Sequence, residues 1–92
     1  MAFKVTKIVD CATIEITPKW RWLEEYGTTI KIQGYIAPAE NNQYIIEKLT
    51  LLLLDKFVTL KNPVGALNGI LNCSVFLNDV DVSKYFSELK SI

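Results

Sequence analysis

Few side chains in this sequence could carry out bond-breaking chemistry. There is no histidine, and Cys11 and Cys73 are the only cysteines. Thiols so far apart, with no Cys/His cluster around them, match none of the usual zinc spacings, so neither metal nor cofactor is expected. On neighbouring strands the pair could form a disulfide. Two buried free thiols is the favoured alternative, because cysteine packs as a small apolar residue. Among the carboxylates, Asp10 reads as a turn residue bonding its own backbone and Glu40 as a first-turn helix carboxylate. Candidate binding residues are clearer. Trp20, Arg21 and Trp22, with Lys19 beside them, interleave aromatics with the only arginine, and tryptophan and arginine dominate interface hot spots. The same cluster could stack bases, or one tryptophan could simply fold back over a barrel end. Lys31 and Tyr35 fall on one face of a strand by period two, as a second binding candidate or as ordinary strand residues.

Charge narrows the partners. Ten basic side chains balance ten acidic ones, and nine of the ten cations are lysines. Gripping a phosphate backbone usually needs a basic excess, since neutralised phosphates release counterions. A single arginine also leaves little for bidentate phosphate recognition. A protein partner or self-association is therefore the expectation, with weak single-stranded nucleic-acid binding as the alternative. No run approaches the ~20 apolar residues of a membrane span. Met1-Ala2-Phe3-Lys4 shows no signal-peptide pattern, so the expected location is cytoplasmic and away from membranes.

The elements that must position these residues follow from periodicity. Ninety-two residues, half of them apolar, support a single small domain spanning residues 1–92. Residues 4–9 and 13–17 read as strands around the Asp10-Cys11-Ala12 turn, with Ile14 and Ile16 alternating against polar neighbours. Residues 18–27 read as a long loop or an extended hairpin arm, and residues 28–35 as a third strand closed by Pro38. Asn41 or Asn42 is positioned to cap a helix running to Leu54, in which Tyr44, Ile45, Leu49, Leu52 and Leu53 recur at helical spacing. Residues 57–60 and 70–77 make two further strands, with turn chemistry at residues 62–65 and a tight turn at Asn78-Asp79. Asp81 or Ser83 caps a short C-terminal helix with Tyr85, Phe86 and Leu89 as its apolar stripe, so both Tyr44 and Tyr85 are expected to pack inward. Five strands with a helix between the third and fourth is the element order of an OB-type Greek-key barrel.

Four blocks in this order resemble staphylococcal-nuclease-like (thermonuclease) domains. Val9-Asp10-Cys11-Ala12-Thr13-Ile14 is similar to their Val-Asp-Gly-Asp-Thr motif. Lys31-Ile32-Gln33-Gly34-Tyr35-Ile36-Ala37-Pro38 looks like their Arg-Leu-X-Gly-Ile-Asp-Thr-Pro strand and loop. Leu52-Leu53-Leu54-Asp55-Lys56-Phe57-Val58 resembles Leu-Leu-X-Gly-Lys-X-Val. Gly69-Ile70 through Val75-Phe76-Leu77-Asn78-Asp79 resembles Gly-Arg, then Val-Tyr-hydrophobic-Asp-Gly. The resemblance implies a barrel built to hold calcium with carboxylates, activate water with a glutamate and clamp phosphate with two arginines.

Carried over residue by residue, that machinery is missing. The two metal-binding aspartates fall on Ala12 and Ile36, and the threonine after the second falls on Ala37. The general-base glutamate falls on Ala39, and the arginines on Lys31 and Ile70. Asp10 and Thr13 remain, with Glu40 one position beyond the base. One such group removed costs a factor of ~10²–10³, and groups acting as a unit fail together. The resemblance thus implies a catalytically inactive nuclease-like domain serving as a protein-interaction or structural module. Residual calcium-dependent cleavage is the least favoured reading.

Overall fold

The computed structural model describes residues 2–38 and 42–89, which form a closed five-stranded mixed barrel of the OB type. Strands β1 (Phe3–Ile8), β2 (Thr13–Trp22) and β3 (Glu25–Ile32) form an antiparallel meander. Helix α1 (Gln43–Leu53) follows, then β4 (Phe57–Leu67) and β5 (Ile70–Leu77). β1 pairs with β4, and β3 pairs in parallel with β5 from Thr29↔Ile70 to Ile32↔Cys73, which closes the barrel. A two-residue β6 (Val80–Asp81) and a 3-10 helix (Val82–Leu89) end the described chain.

The interior is the set of inward residues that alternation selects. Val5, Ile14, Ile16, Trp20, Ile30, Ile32, Leu71, Cys73 and Val75 are all buried, one from every second strand position. Helix α1 covers one opening with Ile45, Leu49 and Leu53, an i, i+4, i+8 stripe. Asn42 caps it, its side-chain oxygen accepting from the Ile45 N–H at 3.3 Å. Asp81 accepts from the Ser83 N–H at 2.9 Å and so starts the 3-10 helix. The hairpin turn at Asn78-Asp79 has positive φ at both residues, as a type I′ turn demands.

Of the two readings of residues 18–27, the extended hairpin arm holds: β2 runs to Trp22 and β3 begins at Glu25. Other expectations need correction. β4 does not stop at residue 60. Residues 62–64 interrupt its pairing as a bulge, with Asn62, Pro63 and Val64 opposite Cys73, pairing resumes at Gly65, and the turn itself lies at Asn68-Gly69. Proline cannot donate to the ladder, so the strand kinks there and resumes. Tyr44 and Tyr85 are exposed, because the buried stripe of α1 passes through Ile45 and that of the 3-10 helix through Phe86. For Cys11 and Cys73 the favoured reading holds: both are free buried thiols.

Candidate functional site

Besides a hollow at the β2–β3 tip that joins Arg21 to Leu23, Glu24, Glu25 and Tyr26, two concave surfaces draw on the candidate residues. The first, about 330 Å³, lies where the resemblance would put hydrolysis. Asp10, Cys11, Ala12 and Thr13 come from the β1–β2 turn, Lys31 from β3, Ala37 and Pro38 from the segment before α1, and Ile70 from β5. Asp10 is the one carboxylate among the described residues lining it, and its oxygen accepts from the Ala12 N–H at 2.9 Å. That is a turn contact within two residues, as an Asx turn makes. Lys31 is exposed on the rim, paired across the strands with Thr13. No group of three His, Cys, Asp or Glu side chains that could hold a metal occurs among the described residues. Ala39 and Glu40, the base position and its neighbour, lie outside them.

Lys31 and Tyr35 do not share a face. β3 ends at Ile32, and Gly34, at φ +107°, swings the chain inward. Tyr35 is thereby buried, its hydroxyl donating to the Cys11 carbonyl at 2.7 Å and its ring stacked on Phe86 at 4.8 Å. Burial, with Cys11 and Asp10 adding to it, pushes the phenol above its usual range. Cys11 ties the same turn to the helix: its sulfur accepts the Asn42 N–H at 3.2 Å. Ile36 is exposed, is not part of the pocket lining, and bonds through its N–H to the Leu89 carbonyl. The surroundings of Asp10 are therefore packing and turn contacts.

The second surface is a slot of about 240 Å³, lined in part by Trp20, Arg21 and Trp22 of β2, and by Leu60, Lys61 and Pro63 of β4. Topology makes it. β1 pairs with both β2 and β4, but it begins at Phe3, opposite Val58 and one residue from the Lys4↔Thr17 pair. Past that point β2 and β4 continue with no described strand between them, and Phe3, Leu71 and Cys73 form the floor. Trp20 is only 1% exposed and donates its Nε1–H to the Thr29 carbonyl at 3.0 Å, so it is barrel filling and offers no stacking face. Trp22 is half-buried on the wall. Arg21 is exposed, and Lys61, also in the lining, holds its ammonium 4.6 Å from the Phe76 ring centroid outside the slot, so the slot itself is mainly apolar.

Next to the slot, the tips of the two long hairpins meet. A Cβ on Gly27 of β3 would strike the Gly69 carbonyl in the β4–β5 turn, so the two backbones touch there. Four large apolar side chains stand out at this end: Leu23 is 76% exposed, Tyr26 60%, Val64 69% and Leu67 71%. Alternation within residues 19–22 could have identified the arm as a strand. Comparison with known protein families, curated proteins and solved structures finds no match to this chain.

Proposed function

We propose that this chain is a catalytically inactive nuclease-like barrel that works as a protein-interaction module. The observation carrying the reading is the hairpin end, where Leu23 of the β2–β3 turn, Tyr26 of β3, and Val64 and Leu67 of β4 are exposed beside an apolar slot. Contiguous exposed apolar surface rimmed by charge is the ordinary form of a protein interface. The Asp10 pocket supports the inactive half of the reading. Its lining has Ala12 where the resemblance expects a metal-binding aspartate and Ile70 where it expects an arginine, and its aspartate already accepts a turn hydrogen bond.

The test has two arms. Single- and double-stranded DNA and RNA are incubated with the protein, with and without calcium, and no cleavage above buffer is expected. Calcium-dependent cleavage lost in Glu40→Ala would overturn the assignment. In the second arm a labelled single-stranded oligonucleotide is titrated at low and physiological salt. Micromolar binding that collapses with salt would give the Arg21–Trp22–Lys61 slot to nucleic acid instead.

A further inference from the structure

We infer that the slot receives the β2–β3 hairpin tip of a second copy of this chain. In that pairing Leu23 enters against Trp22, Leu60 and Pro63, while Glu24 and Glu25 meet Arg21 and Lys61. The inference rests on the interaction-module reading and gives that module its partner.

The two surfaces are complementary in kind. The slot has apolar walls, two cations and no acidic lining residue among those described. The tip, Leu23-Glu24-Glu25, is an apolar anchor followed by two carboxylates, and Arg21 lines a hollow with them. Leu23 adjoins Trp22 in sequence yet does not line its own slot; it projects outward with φ at +56°, a left-handed backbone that leucine rarely adopts. A turn that holds a large apolar side chain away from its own barrel leaves it for another molecule. Slot and tip also belong to one continuous end of the molecule. A two-fold axis there would satisfy both at once, each tip in the other's slot, which is the geometry of an isologous dimer. Tyr26, Val64 and Leu67 would then extend the contact beyond the anchor, toward the ~800 Å² per partner that a stable interface needs. Zero net charge removes the long-range repulsion that would oppose such pairing.

Light scattering on a sizing column, at tens of micromolar protein, reads the result. Wild type is expected at twice the 10.5 kDa chain mass. Leu23→Asp and Arg21→Glu change exposed residues and should keep the wild-type circular dichroism spectrum. Each should raise the dimer dissociation constant by about 30-fold or more, the scale of an interface hot spot. Mixing Arg21→Glu with the double variant Glu24→Arg/Glu25→Arg should restore a dimer neither forms alone. A wild type that stays monomeric at millimolar concentration overturns the inference, as does a dimer untouched by Leu23→Asp. Either failure leaves the inactive reading to its nuclease arm, which does not depend on oligomeric state.

Discussion

Asp10 is the residue on which an enzymatic and a structural account diverge most sharply. Its carboxylate bonds the Ala12 N–H, and the turn so fixed carries Cys11, which anchors both Tyr35 and the start of α1. Asp10→Ala is therefore expected to lower stability by about 1 kcal/mol, and Asp10→Asn, which keeps the acceptor, by less. Urea midpoints measure this. Millimolar calcium should leave the melting temperature of all three proteins unchanged, whereas a ligand held by Asp10 would raise that of wild type alone. The buried thiol of Cys73 gives a second measurement. Burial pushes it from 9.0 up to about 12, and the Tyr35 phenol is raised as well. Both stay neutral in the folded barrel while the unfolded chain ionises, so the folded state binds more protons in that interval. Stability is full below about pH 9 and falls as pH climbs toward about 12. A urea series from about pH 8 to about pH 11 should show that decline, with a shallower slope in Cys73→Ala.

At the scale of elements, the strands and α1 were legible because each buries one face. Ile14 and Ile16, Ile30 and Ile32, and the stripe from Ile45 to Leu53 announce themselves by period. What stayed hidden depended on contacts distant in sequence. The Asn62-Pro63-Val64 bulge reads locally as a turn, and only pairing with β5 carries β4 through it. Tyr35 reads as a strand residue until Gly34 redirects the chain. Of the candidate site, the apolar lining beside Asp10 could be read from the sequence. The burial of Trp20 and the slot beside it could not, since both depend on residues brought together from β2, β4 and β5. Gly27 looks like a turn glycine but sits inside β3, against the Gly69 backbone. Its Cβ would lie 2.8 Å from the Gly69 Cα, and neither backbone can yield cheaply. Gly27→Ala should cost about 1–3 kcal/mol by overpacking. Gly65→Ala, where a Cβ meets nothing within 4 Å, should cost far less. Comparing the two in thermal melts separates close approach from the general effect of losing a glycine.

For the molecule as a whole, the weak point is how little holds its layers together. A barrel of this size buries roughly 60–65% of its unfolded surface, so its margin belongs near the lower end of the usual ~5–15 kcal/mol. Phe86 joins three layers at once. It is fully buried, stacks on Tyr35 from the β3–α1 connection, and lies 4.8 Å under the Lys48 ammonium of α1. Its own 3-10 helix is tied back through the Ile36 N–H to the Leu89 carbonyl. Phe86→Ala is expected to cost about 3–5 kcal/mol. At ~4–8 °C per kcal/mol for a domain this small, that lowers the melting temperature by at least about 12 °C. Phe86→Leu keeps most of the apolar volume and should recover over half of the loss. Ser87→Ala, an exposed change on the same helix, should have almost no effect. If Phe86→Ala melted within about 3 °C of wild type, the C-terminal helix would be an appendage to the barrel and not the clamp that joins it to α1.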